Sequence, residues 1–251
     1  NVGKPQDNEK PELILHKIRT KHTILANGHI ERFITFRNND LPGVMLAASF
    51  EKYLNRYGVV PDESPVIFTN NSSTFSLLKS LTDLGHKLKA YVDIRDQKNI
   101  EKQTLELLEK FNIPFYPKSE IEGCDGKKEV KKVSIRTKKN QITKIKTSML
   151  CVSGGFNPDI HLFTQSKGLL KWDKDHLTFK PDRIFQKTIT LGSVSGNFSY
   201  EKLLVEVEKK LSEFEGLNEL EVKFEINGPE KFQIKELWET KHEKKSLWSK
   251  S

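Results

Sequence analysis

Leu150-Cys151-Val152-Ser153-Gly154-Gly155-Phe156-Asn157-Pro158 decides the fold. It has the character of a buried strand running into paired glycines and then an Asn-Pro turn. Two other stretches do the same: Thr23-Ile24-Leu25-Ala26-Asn27-Gly28, and Thr188-Ile189-Thr190-Leu191-Gly192-Ser193. Short apolar runs ending in glycine suit a sheet with a nucleotide lying across its strand ends. Glycine there lets the backbone come close to a ligand with no Cβ in the way. Yet none of the 14 glycines forms G-x-G-x-x-G. The pattern is a dinucleotide fold without its usual phosphate-binding fingerprint.

Working outward, the βαβ pattern is most compact at 66–93. Val66-Ile67-Phe68-Thr69 is a strand, Ser72-Ser73-Thr74 starts a helix, and Phe75, Leu77, Leu78, Leu81 and Leu84 form its packing face. Gly85 ends that helix, and Leu88 to Asp93 is the next strand. Before this unit, Leu13 to Ile18 alternates weakly into the strand at 23–26. Pro42-Gly43 breaks the chain ahead of a helix from Met45 to Tyr57, with Leu46, Phe50, Leu54 and Tyr57 on one face and Gly58 as its cap.

Beyond it, a helix from Lys98 to Phe111 leads to a short strand near Pro114-Phe115-Tyr116. Val130 to Thr147 is a hairpin that turns at Lys138 to Gln141. After Pro158 the pattern is less regular, with Trp172 and Phe179 as expected core contacts. A helix follows over about Tyr200 to Phe214, with Leu203, Leu204, Val207 and Leu211 on one face. Glu219 to Ile226 alternates like a strand, and 239–251 is too polar to pack.

Composition removes several classes of function. The 251 residues suit one large or two modest domains. No apolar run approaches the ~20 residues of a membrane span, and no signal-like segment opens the chain. Cys124 and Cys151 form no C-x-x-C, so redox exchange and structural zinc are not indicated, and a cytoplasmic setting is expected. The net charge of +8 comes from 35 lysines and 7 arginines interleaved with acids. That distribution, poor in the bidentate cation, argues against nucleic acid. The lysines at 130–147 fit the solvent face of an amphipathic hairpin.

The candidate site lies in the glycines at the two outer strand ends. Gly28 precedes the unit at 65–153, and Gly192-Ser193-Val194-Ser195-Gly196 follows it, as when one dinucleotide domain is interrupted by a second and then resumes. Gly28, Gly192 and Gly196 are expected to approach the pyrophosphate, Ser193 and Ser195 to donate hydrogen bonds, and the glycines at 192–196 to sit at a helix N-terminus. In the 66–93 half-site, Asp93 stands where an acid would take ribose hydroxyls. Its turn, Thr69-Asn70-Asn71-Ser72-Ser73-Thr74, has no glycine, leaving the helix dipole alone to attract an anion. This half-site either holds a nucleotide or is a structural relic. His29 and His161 lack metal-spaced partners, and no nucleophile–base set or Walker motif is present.

These residues resemble the alpha subunit of heterotetrameric sarcosine oxidase. Thr23 to Arg32 is similar to the family's strand followed by "ATGAxER". Asn38 to Ala47, Tyr53 to Val59 and Phe68 to Asn71 also resemble family segments. Ser153 to Pro158 followed by His161 to Gly168 is similar to "SGGWNPxxHLFxQSxG". The resemblance spans roughly residues 13–215. Departures are Asn27 for a threonine and Phe33 for a proline, while Ser193 stands where flavin enzymes commonly carry an acid.

The resemblance implies an α/β, two-domain flavoprotein or pyridine-nucleotide oxidoreductase fold, truncated at both ends. Residues 1–60 would end the first dinucleotide domain, 61–155 would be the inserted Rossmann-like domain, 156–215 the return, and 216–251 a linker. It implies NAD in this subunit, FAD and FMN in the wider complex, and tetrahydrofolate in a further C-terminal domain. Beta, gamma and delta subunits would be its partners, with neither nucleic acid nor membrane. The implied reaction is oxidative demethylation of sarcosine to glycine. Its other products would be H2O2 and formaldehyde or 5,10-methylenetetrahydrofolate, with no catalytic residue on this chain. Two alternatives stand: a free-standing FAD/NAD(P)-dependent oxidoreductase, and a non-catalytic nucleotide-binding scaffold of another amine or amino-acid dehydrogenase.

Overall fold

The computed structural model describes residues 14–62, 64–198, 200–212 and 232–241. Its first elements are β1 (Thr23–Leu25), β2 (His29–Glu31), β3 (Val44–Leu46), α1 (Ala47–Tyr57) and β4 (Val66–Thr69). Then come α2 (Phe75–Asp83), β5 (Ala90–Asp93), α3 (Lys102–Lys110), β6 (Phe115–Pro117) and β7 (Glu120–Asp125). Strands β8 (Lys132–Arg136), β9 (Ile142–Lys146), β10 (Leu150–Ser153) and β11 (Phe156–Pro158) follow, then the short α4 (His161–Gln165). The chain ends its regular part with β12 (Leu169–Asp173), β13 (Thr178–Arg183), β14 (Thr188–Thr190) and α5 (Tyr200–Ser212).

The central layer is a parallel sheet in the order β3-β10-β4-β5-β6. Its strands are apolar on both faces, as parallel strands covered on both sides must be. The period of two then sorts them. Val66, Phe68, Val92, Leu150 and Val152 face one core with Ile34, Ile121, Val133 and Ile135, beneath the antiparallel sheet β7-β8-β9. Ile67, Tyr91 and Cys151 face the other, with Phe50 and Leu54 of α1, Leu77, Leu78 and Leu81 of α2, and Leu108 of α3. Gly58 caps α1 in the left-handed region, at φ +63°.

A second, smaller sheet is made by β1 and β14, parallel and in register from Thr23↔Thr188 to Leu25↔Thr190. The short antiparallel pair β2–β11 meets the hairpin β12–β13 where β11 packs beside β13.

Several expectations are corrected. Leu84 is 58% exposed, because α2 has ended at Asp83 and its tail turns away from the core. Trp172 and Phe179 are 45% and 52% exposed. They face each other across β12–β13 with ring centroids 5.1 Å apart, packing on one another and not in a core. That hairpin and β7 are strands where the sequence indicated none. Lys98 lies in a short 3-10 turn (Gln97–Asn99), and the true α-helix begins at Lys102. Ile14, Leu15 and Ile18 are exposed and form no strand. The expected strand at 219–226 lies outside the described residues.

Candidate functional site

Strand pairing brings two of the predicted glycine turns together. Leu191 N–H donates to Leu25 O at 2.9 Å as β1 and β14 end, and the chain then turns at Gly28 (φ +88°) and Gly192 (φ +81°). Residue 159 fixes the first turn: its N–H donates to Gly28 O at 3.0 Å, while Asn27 Nδ2 donates to Asp159 O at 2.5 Å. The rings of His29 and Phe198, which follow the two turns, are 5.8 Å apart. Phe156, His176 and Phe232 complete the same aromatic cluster. Desolvation there lowers the His29 pKa.

The predicted site residues differ in how much room they leave. A Cβ at Gly28 would meet nothing within 4 Å. At Gly192 it would only touch Leu203, at 3.7 Å, whereas at Gly196 it would press on Lys180 at 3.0 Å. Ser193 and Ser195 lie in a single 3-10 turn (Gly192–Ser195) anchored by buried Val194. Ser195 Oγ is engaged with Thr190 Oγ1 at 3.1 Å. The expected helix N-terminus is displaced: α5 starts at Tyr200, because Gly196 takes the left-handed conformation (φ +83°) and ends the first turn.

Beside this turn a cleft of about 360 Å³ is lined by Thr188, Thr190, Ser195, Lys180, Lys210 and Glu206, among others. Lys210 Nζ donates to Thr190 O at 2.7 Å. Lys180 reaches Asp173 at 2.6 Å. Burial alone would raise the Asp173 pKa, but hydrogen bonds from Lys180 and His176 outweigh it and hold the carboxyl at about 2.

The third glycine turn serves another purpose. A Cβ at Gly154 would meet the backbone oxygen of Arg32 at 3.0 Å, and one at Gly155 would meet Arg32 Nη2 at 2.6 Å and Ile234 Cδ1 at 2.5 Å. These glycines make room for the protein itself. Arg32 is buried there, donating from Nε to Gly154 O at 3.0 Å, from Nη1 to Leu177 O and from Nη2 to His176 O. Its guanidinium lies 4.8 Å from the Trp238 ring centre. Desolvation lowers its pKa to about 10.

Asp93 is equally committed. It is fully buried and grips Arg95, accepting at Oδ2 from Nη2 at 2.8 Å and at Oδ1 from the Arg95 backbone N–H at 2.8 Å. Arg95 also reaches Glu101 at 3.1 Å. Desolvation works against the Arg95 charge, yet Asp93 outweighs it and holds the guanidinium above its ordinary range. An acid so engaged has no lone pair directed at a ribose.

Glu31 is a functional-looking carboxyl that no motif in the sequence singles out. Its carboxylate accepts from Ala48 N at 2.9 Å, capping α1, whose N-cap residue Leu46 offers no side-chain bond. Burial raises its pKa to about 7, against the hydrogen bonds from Ser153 and Ala48. Among the described residues, no group of three or more His, Cys, Asp or Glu could hold a metal ion, and no helix is long and apolar enough to cross a membrane.

No protein-family model matches the chain. Curated relatives do. It is 33% identical over 192 residues to the sarcosine oxidase subunit alpha of Corynebacterium sp. (strain U-96), covering 74% of this chain and 19% of the relative. It is 32% identical over 165 residues to that of Rhizobium meliloti (strain 1021), covering 66% and 16%. The chain thus spans about a fifth or less of the length of these relatives. Among solved structures, Lactococcus lactis thioredoxin reductase aligns with a TM-score of 0.55 at 16% identity, covering 74% of this chain and 62% of that one. L-proline dehydrogenase from P. horikoshii aligns with a TM-score of 0.51 at 22% identity, covering 69% and 30%. Mycobacterium tuberculosis FprA, in complex with NADPH, aligns at 0.53 and 13% identity, covering 78% and 63%. The fold is that of these oxidoreductases.

Proposed function

Because the chain belongs, over the matched segment, to the family of sarcosine oxidase alpha subunits, we propose that it forms the dinucleotide-holding part of an oxidoreductase subunit, with NAD at the Gly28 and Gly192 turns. The observation that carries this reading is the parallel pairing of β1 with β14, which sets both turns at adjacent strand C-termini. In open α/β sheets that is where ligands bind. The empty space beyond Gly28 fits a close ligand, and Ser193 and the Gly196 backbone would border it. Ser195, bonded to Thr190, supports the turn. NAD's nicotinamide is a hydride carrier; this chain's residues would only bind and orient it.

In this reading 61–155 is the inserted domain between the two parts of the first, and 216–251 leads onward. The complex would demethylate sarcosine to glycine, releasing H2O2 and formaldehyde or 5,10-methylenetetrahydrofolate. FAD, FMN and tetrahydrofolate would be held elsewhere, and beta, gamma and delta subunits would complete it in the cytoplasm. Sarcosine-dependent peroxide release by the purified complex tests the reaction, and absence of turnover would refute it. A non-catalytic scaffold is the second reading, favoured by the commitment of Asp93 to Arg95. Stoichiometric NAD in the subunit would remove it.

A further inference from the structure

The turn between β4 and α2 stands where the inserted domain would take its own nucleotide, outside strand C-termini where the strand order reverses between β10 and β4. Phosphate binding there needs free backbone N–H groups. Here five of those in the turn are spent on the protein. Asn70 N donates to Ser153 O, Asn71 N to Thr69 Oγ1, Ser72 N to Gln233 O, Ser73 N to Asn71 Oδ1 and Phe75 N to Ser72 O. The ribose-side acid, Asp93, is held by Arg95, whose side chain also donates to Asn71 O and Ser72 Oγ.

What lies against the turn is the chain's own segment 232–237. Lys235 N donates to Asn70 O at 2.8 Å, Asn70 Nδ2 donates to Lys235 O at 2.8 Å, and Gln233 N donates to Ser72 Oγ at 2.9 Å. Asn71 and Ile234 form an antiparallel bridge. Ile234 also packs on Gly155, where a Cβ would come within 2.5 Å of it. The segment continues as a parallel bridge of Glu239 to Thr35, and Thr240 Oγ1 donates to Ile121 O at 2.6 Å.

We propose that this crevice is a peptide latch: it binds the extended segment 232–237 through main-chain hydrogen bonds and takes no pyridine nucleotide. Asn70 supplies a side-chain amide bond to the segment that glycine could not, and the Asn71 amide braces the turn on Ser153 O and Asn70 Oδ1. Gly155 supplies the pocket for Ile234. The latch fastens whatever chain follows residue 241 to the inserted domain, and it leaves the Gly28–Gly192 crevice as the one for NAD, a corollary that rests on the function proposed above.

Amide hydrogen exchange on the chain, with and without millimolar NAD, NADH or NADPH, tests this. Protection of the Ser72, Gln233 and Lys235 amides is expected to be unchanged by all three. Loss of that protection by about tenfold or more on adding nucleotide would overturn the latch. An unresponsive latch together with unresponsive Gly28 and Gly192 amides would support the latch while refuting the NAD site. A second probe is Ile234→Asp, which loosens the segment. NADPH is still expected not to bind at this turn, since Asp93 and the amides of Asn70, Asn71, Ser73 and Phe75 stay engaged. Saturable NADPH binding gained by this variant and absent from the unsubstituted chain would show a gated nucleotide site and overturn the proposal.

Discussion

Glu31 shows how one side chain can set a pH dependence. Burial raises its carboxyl to about 7 from 4.5 while it caps α1 at Ala48. A carboxyl whose folded pKa exceeds its unfolded one binds more protons when folded, so stability falls as pH rises between the two values. We expect unfolding free energy to decline from about pH 4.5 to 7, by at most about 1.4 kcal/mol per pH unit from this group. Nearby Glu51, also raised by burial, will contribute in the same direction. Glu31→Gln keeps the acceptor and should flatten the profile, as read from urea unfolding at several pH values. Asp93 and Arg95 make a second prediction. Arg95→Met leaves a buried carboxylate without its partner and should cost about 3–5 kcal/mol, whereas Asp93→Leu/Arg95→Met together should cost less than the single change. Equal losses would deny that the pair acts as a unit.

At the scale of elements, the hairpin β12–β13 and the central sheet make opposite predictions. Trp172→Ala removes an exposed ring-on-ring contact and should cost about 1 kcal/mol. Phe50→Ala opens a cavity under α1 and should cost about 3–5 kcal/mol. Denaturant midpoints would separate the two. The same contrast explains what could be read from the chain. The strands at 66–69, 90–93 and 150–153 are apolar up to their last residue because both their faces are covered, and the helices between them carry clear stripes. β7 was illegible because Gly123 interrupts its alternation at a register shift. β12–β13 was illegible because its large aromatics face outward, so residue size pointed to a core that is not there. The Gly28 and Gly192 turns were legible from glycine after an apolar run. The destinations of Gly154 and Gly155 were not, because the Arg32 and Ile234 that fill them come from positions far away in sequence.

Across the whole molecule, two pairs of turns with the signature of nucleotide ends differ in what fills them. One pair, at Gly28 and Gly192, faces open space or a single leucine. The other, at Asn70 to Ser73 and Gly155, is filled by residues 232–237 and Arg32. The central claim concerns the first pair, and positive φ complicates any substitution there. Gly58 provides the control, since it has φ +63° and also has nothing within 4 Å of a Cβ. Alanine at either position carries a comparable left-handed penalty of about 1–2 kcal/mol. The measurement to make is the NAD recovered per subunit from purified complexes carrying Gly28→Ala or Gly58→Ala. The account predicts that Gly58→Ala keeps its NAD and Gly28→Ala loses most of it; equal NAD content in the two variants would contradict the assignment.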